Sequence, residues 1–203
     1  QDLSVYSKNL GNGNITPITS NTDYDVKNNV IKQTDSKGNY KIFEYDDMDR
    51  NTAINYFDED EKQTFRTEYV YDILGNVLQM KDYKVSNNEN TLYRFTKYDY
   101  DNLKRIVGIS ELSEEDISTD TPTDTEIESH KITFTYDIND KVTDVTYPTS
   151  INSNIKGLHY NYDENEWLQT IYAEVGTTQR LLREYKYFSN GNVEYIKDYK
   201  GFI

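Results

Sequence analysis

The chain has no cysteine, three prolines, two methionines, two histidines and one tryptophan among 203 residues, and its 22 basic residues are outnumbered by 36 acidic ones. Without cysteine there is no disulfide framework, no thiolate metal site and no cysteine nucleophile. The shortage of basic residues leaves a formal charge of −14, which repels a phosphate backbone and removes nucleic acid from the partners to be considered. No run approaches the ~20 apolar residues of a helical membrane span. The chain opens at Gln1 with neither an initiator Met nor an apolar leader, which reads as a processed terminus or a boundary within a longer chain. Amphipathic stripes at i, i+3, i+4 and i+7 are missing throughout, so helix is not expected to build the fold.

Against these absences stand the aromatics, 14% of the chain and mostly tyrosine, in a sequence only 35% hydrophobic. Tyr, Thr and Asn favour pleated, half-exposed strands over a thick aliphatic core. The tyrosines are also periodic. Tyr24-Asp25, Tyr45-Asp46, Tyr71-Asp72, Tyr100-Asp101, Tyr136-Asp137 and Tyr162-Asp163 recur at spacings of 21, 26, 29, 36 and 26 residues, and Tyr187-Phe188 follows 25 residues later as a degenerate seventh copy. Two positions before the motif Tyr stands Phe43, Tyr69, Tyr98, Phe134, Tyr160 or Tyr185, with Thr22 the exception. Aromatic, polar, Tyr is the alternation of a strand with one covered face.

Six residues after each Tyr the chain is apolar again, at Val30, Val77, Ile106, Val142, Leu168 and Val193, with Asn51 the outlier. The polar stretch between reads as a tight turn in which Asp accepts from the following backbone and Gly or Asn takes positive φ. Each copy is therefore a β-hairpin. A second apolar site falls nine residues after the Tyr, at Ile54, Met80, Ile109, Val145, Ile171 and Ile196. The odd offset between the two sites requires either a bulge or a first site that belongs to the turn, and turn chemistry favours the latter. The acidic run at about 111–129, rich in β-branched and turn residues, is expected to be a long surface loop inserted between the fourth and fifth copies.

The pattern aromatic-x-Tyr-Asp-x-x-Gly-(Asn/Arg)-apolar, clearest in Tyr69-Val70-Tyr71-Asp72-Ile73-Leu74-Gly75-Asn76-Val77, resembles the YD-repeat (Rhs-type) family of bacterial secreted and surface proteins. The resemblance spans roughly residues 22–200. The family Gly survives at Gly75 and Gly191 and is replaced by Asn28, Asp49, Lys104, Asp140 and Glu166; the Arg after it survives at Arg50 and Arg105. The resemblance implies an all-β fold of tandem β-hairpins forming a curved, twisted antiparallel sheet, a partial spiral or solenoid-like array. Its organisation is an N-terminal segment or cap over 1–21 and seven hairpin repeats over 22–203.

Two functions follow as expectations. One is a non-enzymatic scaffold or adhesion surface of a secreted or cell-surface bacterial protein, whose partner is carbohydrate, another surface protein or further repeats of the parent chain. The other is a wall segment of a larger Rhs-type shell enclosing a toxin or other cargo domain. The motif residues Tyr24, Tyr45, Tyr71, Tyr100, Tyr136, Tyr162 and Tyr187, with Asp25, Asp46, Asp72, Asp101, Asp137 and Asp163, are assigned to structure, because catalytic groups do not recur at every turn. His130 and His159 lack the spacing of a metal or nucleophile motif, and acidic runs such as Asp58-Glu59-Asp60-Glu61 lack the twelve-residue calcium loop, so no catalytic residue, metal or cofactor is expected. Trp167 stands in the slot where the family has Arg. It is expected to be exposed and is the one aromatic proposed to bind a ligand, by stacking on a sugar ring.

Overall fold

A computed structural model describes residues 3–8, 15–119, 121–148, 150 and 154–202. Two compact units divide the chain, Gln1–Thr96 with Ser113–Thr121, and Lys97–Leu112 with Pro122–Ile203. The first holds β1 (Leu3–Lys8), β2 (Ile15–Tyr24), β3 (Val30–Thr34), β4 (Tyr40–Tyr45), β5 (Asn51–Phe57), β6 (Gln63–Tyr71), β7 (Val77–Ser86) and most of β8 (Glu89–Tyr100). The second holds the end of β8, nearly all of β9 (Ile106–Ser113), the helix α1 (Asp124–Ser129), β10 (Lys131–Tyr136), β11 (Val142–Thr146), β12 (Ile155–Tyr162), β13 (Leu168–Val175), β14 (Thr178–Tyr187), β15 (Val193–Asp198) and β16 (Gly201–Phe202). Among the described residues the strands are hydrogen-bonded in chain order from β1 to β16, with no pairing of first to last, so the sheet is open. The pairings from β1 to β7 and from β9 to β16 are all antiparallel. The all-β array of tandem hairpins expected from the repeats is thus the fold.

The hairpins at Tyr45, Tyr71, Tyr136, Tyr162 and Tyr187 close through the same register. The aromatic two before the motif Tyr lies opposite the aliphatic nine after it, as in Phe43↔Ile54, Tyr69↔Met80, Phe134↔Val145, Tyr160↔Ile171 and Tyr185↔Ile196. Such aromatic–aliphatic pairs are the units that stabilise a sheet. The motif Tyr lies opposite the residue six after it, as in Tyr45↔Asn51 and Tyr162↔Leu168, and the register shifts immediately before the Tyr. The expectation that the first apolar site belongs to the turn is corrected here. A bulge supplies the missing residue, because Thr52, Leu78, Thr143, Gln169 and Glu194 are each skipped in the pairing and the odd offset becomes even.

The 111–129 stretch is also not all loop. Strand β9 continues to Ser113 and α1 starts at Asp124, its N-terminus closed by a capping box in which Thr123 and Glu126 exchange side-chain and backbone hydrogen bonds. The helix anchors itself by burying Ile127. The N-terminal segment contributes the β1–β2 pair, while residues 1–2 and 9–14 lie outside the described residues.

Buried apolar side chains are few among the described residues, as expected for a sheet with wet faces: Ala53, Val85, Leu92 and Phe95 in the first unit, and Leu112, Ile127 and Ala173 in the second. Gly157 in β12 marks a close backbone approach, since a Cβ there would stand 2.5 Å from the Val145 carbonyl oxygen.

Candidate functional site

The recurring chemistry of the chain is concentrated at the Tyr-Asp turns, all on one edge of the meander. In each, the residue after the Tyr donates its N–H to the carbonyl four residues on, at 2.9 Å for Asp72 to Asn76 and 2.9 Å for Asp163 to Trp167. The Asp Oδ1 accepts two further backbone N–H groups, for Asp72 those of Leu74 and Asn76, both at 2.8 Å. In the turns at Asp72, Asp46 and Asp101, Oδ2 takes the side chain of the fifth residue after the Tyr: Asn76 Nδ2 at 2.7 Å, Arg50 Nε at 2.7 Å and Arg105 Nε at 2.7 Å. The degenerate copy keeps the backbone bonds from Phe188, and there Asn190 supplies the side-chain acceptor. The fourth residue after the Tyr has positive φ in every copy, glycine or not: Asn28 71°, Asp49 59°, Gly75 90°, Lys104 66°, Asp140 64°, Glu166 65° and Gly191 85°.

Some of the non-glycine residues in that conformation also fasten one turn to the next. Asp49 accepts Lys27 Nζ at 2.8 Å, Asp140 accepts Arg105 Nη1 at 2.6 Å and Glu166 accepts Lys141 Nζ at 2.8 Å. Lys104 has no such carboxylate to offer. A left-handed conformation costs a non-glycine residue about 1 kcal/mol, so Lys104→Gly is expected to stabilise the protein by roughly 0.5–1 kcal/mol in denaturant melts. Asp140→Gly, which also discards the Arg105 partner, is expected to be near neutral; equal gains from both would contradict this account.

The joint between hairpins is made by the motif Tyr. In five of the copies its hydroxyl reaches the preceding copy and donates to the backbone carbonyl six residues after that copy's own Tyr. In the first unit Tyr45 meets Val30 at 2.8 Å and Tyr71 meets Asn51 at 2.6 Å. In the second, Tyr136 meets Ile106 at 2.6 Å, Tyr162 meets Val142 at 2.9 Å and Tyr187 meets Leu168 at 2.7 Å. Pairing with the next hairpin begins only farther along these strands, for instance at Lys32 of β3, Ala53 of β5 and Asp144 of β11. The phenol therefore satisfies a carbonyl that the diverging strands leave behind. The residue just before that carbonyl packs on the same ring: the Arg50 guanidinium lies 4.8 Å from the Tyr71 centroid, Arg105 4.6 Å from Tyr136, Lys141 Nζ 5.2 Å from Tyr162, and the Trp167 ring 5.3 Å from Tyr187. Arg50 and Arg105 also donate through Nη1 to the carbonyls of Asp72 and Asp137.

No protein-family model and no curated protein matches the chain. Solved structures similar to it include TcdB2-TccC3 without its hypervariable C-terminal region, at 15% identity and a TM-score of 0.47, over 87% of this chain and 10% of that one. The Tc holotoxin pore of Photorhabdus luminescens is similar at 13% identity and a TM-score of 0.43, over 97% of this chain and 13% of that one. A porin-like protein of Bacteroides uniformis is similar at 12% identity and a TM-score of 0.42, over 94% of this chain and 79% of that one.

Trp167 is not the exposed ring expected. It is half-buried, packed at a tilt against Tyr187 and close enough to Gly191 that a Cβ there would stand 3.2 Å from its ring, so it takes the place held by arginine in other copies. Of the motif tyrosines, Tyr24 is 48% exposed and the other six are half-buried. The two histidines serve local structure. His159 Nδ1 stands 2.5 Å from Asp144 Oδ1, and His130 Nδ1 packs against the Glu126 carbonyl at the end of α1. Among the described residues no group of three or more His, Cys, Asp or Glu is arranged to hold a metal ion. The acidic clusters are partly absorbed in turns and pairs, with Asp58 heading a turn closed by Lys62 and Asp99 paired to Lys131 at 2.8 Å. The turns at Asp35 and Asp58 on the opposite edge escaped the sequence reading because no Tyr precedes them. Asp35-Ser36-Lys37-Gly38-Asn39 nonetheless carries the turn pattern, with Gly38 at φ 94°.

The turns set a pH range. The backbone N–H of Arg50 and, against a smaller effect of burial, its guanidinium hold Asp46 below the ordinary 3.8; the Asn29 N–H acts likewise on Asp25 and the Asn76 side chain on Asp72. A lowered carboxylate contributes stability that is present above 3.8 and lost as pH falls through the lowered folded value. Burial pushes the hydroxyls of Tyr45, Tyr71, Tyr162 and Tyr187 above 10.0, which contributes stability present below 10.0 and lost as pH rises through the raised value. Thermal melts from pH 2 to 12 are expected to show a plateau bounded by these two limbs. A Tyr71→Phe variant should show a shallower alkaline limb with an unchanged acid one.

Proposed function

We propose that the chain is a non-enzymatic wall segment of a secreted bacterial protein, a stretch of Rhs-type hairpin array that belongs to a larger shell around a toxin or other cargo domain. The observation that supports this reading most is the recurring Tyr-to-carbonyl joint. Within each compact unit it fastens successive hairpins, five in all, to the one before, independently of loop length, and uses the motif Tyr and Asp as fasteners rather than as chemistry. A repeat that meets only its neighbours adds length to a wall without altering what is already built. The acidic charge keeps such an open sheet from stacking on itself. The test is limited proteolysis of the full-length parent: a cargo segment is expected to resist cleavage until the array is unfolded, and cleavage at the rate of the isolated cargo would reject the shell.

Adhesion to carbohydrate is the second reading, and it rests on a groove of about 350 Å³ in the first unit. There Tyr40 and Phe57 stack at 4.7 Å beside the amides of Gln33 and Asn39, a ring platform with polar groups around it. Glycan-array binding lost in Tyr40→Ala with the fold intact would establish it. Loss in Trp167→Ala would place the site at Trp167 instead.

A further inference from the structure

We infer that a row of side chains crossing the strands of the first unit, Gln33, Lys41, Tyr56, Phe65, Lys84 and Tyr93, is a binding track for an acidic oligosaccharide, a sugar chain that carries an isolated carboxylate. The inference rests on the carbohydrate reading and names the class of sugar. Strand pairing itself sets the row: Gln33 lies opposite Lys41, Lys41 opposite Tyr56, Tyr56 opposite Phe65 and Phe65 opposite Lys84, and directly opposed residues share one face of a sheet. Tyr93 of β8 joins through its ring, edge-on to Phe65 with the centroids 6.2 Å apart. Tyr56 lines both the groove that holds Tyr40 and Phe57 and a second one, of about 290 Å³, that holds Phe65, Thr67, Asp82 and Tyr93, so the two grooves share one ring. Phe65 is 44% exposed, and an exposed ring within a row of rings is a surface for the apolar face of a sugar. From β3 to β8 the row spans about 24 Å, which is too long for one sugar ring and suits several in series.

The charges along the row call for an acid and say where it sits. Lys41 is exposed, with its ammonium 5.1 Å from the Tyr56 centroid, and it forms no ion pair among the described residues although acidic residues outnumber basic ones 36 to 22. Lys84 stands 5.3 Å from the Tyr93 centroid but is already paired with Glu114. The open cation is therefore the one on β4, with the Gln33 amide beside it. On β7 the polarity reverses. Asp82 accepts Thr67 Oγ1 at 2.7 Å through Oδ1, while its Oδ2 has no partner among the described residues and is placed to accept a sugar hydroxyl. The ligand's carboxylate thus lies over β4 and a hydroxyl over β7, about 14 Å apart. A net charge of −14 repels a densely charged polyanion, so the match is to a chain with few acidic groups, held by short-range contacts.

The test is an array of sialylated, glucuronic-acid and galacturonic-acid oligosaccharides, each printed beside its neutral methyl ester and probed with the whole chain. At least one acid is expected to bind about tenfold more tightly than its own ester, the equivalent of one charge-assisted hydrogen bond. Lys41→Gln should bring the acid down to the level of the ester and leave the ester unchanged. Phe65→Ala should weaken both about fivefold through the lost ring. Lys37→Gln, at an exposed turn outside the row, should change neither. Equal binding of acid and ester, or indifference to Lys41→Gln, overturns the acid assignment and leaves the carbohydrate reading standing. Binding lost in Tyr40→Ala but kept in Phe65→Ala confines the sugar to the first groove and overturns the row. Stronger binding of a single-stranded oligonucleotide, which also stacks on rings, overturns it as well. Binding of no glycan, acid or ester, overturns the inference and the carbohydrate reading together, and the proteolysis test of the shell is untouched by any of these results.

Discussion

Tyr71→Ala is expected to destabilise the protein by about 3 kcal/mol, and Tyr71→Phe by about 1 kcal/mol. The difference separates two contributions of one side chain. The Phe variant loses only the 2.6 Å bond to the Asn51 carbonyl, leaving that half-buried acceptor without its donor. The Ala variant also removes the ring on which the Arg50 guanidinium rests and which lies 6.4 Å from Tyr69, opening a gap between two hairpins. For a chain of this length the larger change should lower Tm by roughly 6–12 °C. Tyr24→Ala is the control, since that ring is 48% exposed and precedes the first joint; its cost should stay within about 0.5 kcal/mol. Equal losses at Tyr24 and Tyr71 would mean that the joint contributes nothing beyond the strand itself.

Gly157→Ala is expected to cost about 3 kcal/mol although it adds a single methyl group. The new Cβ would meet the Val145 oxygen at 2.5 Å, and backbone atoms of a paired strand cannot swing aside as a side chain can. Gly75→Ala is the informative comparison. Its φ of 90° strains any L residue, yet nothing stands within 4 Å of the added carbon, so the loss there should be nearer 1 kcal/mol. Chemical denaturation of both variants ranks steric collision against backbone strain, and a smaller loss at 157 than at 75 is the result that would sink the argument.

Much of this architecture is legible in the sequence because the hairpins are built from local rules repeated. The Tyr-Asp spacing marks every motif turn, and the alternation around Phe43 or Tyr160 marks the strand that precedes it. What is not legible is non-local. Where a phenol hydroxyl points depends on the neighbouring hairpin, so the bond from Tyr162 to Val142 has no signature in either segment. The bulge hides for a related reason: skipping Thr143 becomes visible only when Thr135 and Tyr136 are set against their partners. Trp167 shows the limit of reasoning from composition, since a large ring beside a turn is as well placed to cover the next tyrosine as to face water. The helix at Asp124–Ser129 did announce itself, through Thr123 and Glu126, but lies just past the helix-poor residues that dominate the run before it.

The two edges of the meander obey different rules. On one edge the Tyr-Asp turn always closes over the same number of residues; on the other the connection ranges from the two residues Asn87-Asn88 to the segment 114–130 that carries α1. Successive motif tyrosines are 21 to 36 residues apart in the chain, yet always two strands apart in the sheet, about 9.6 Å. Insertions and deletions are consequently confined to one border. Such a protein can acquire new surface loops during evolution, or accept a grafted segment after Ser113, while the other border keeps its period.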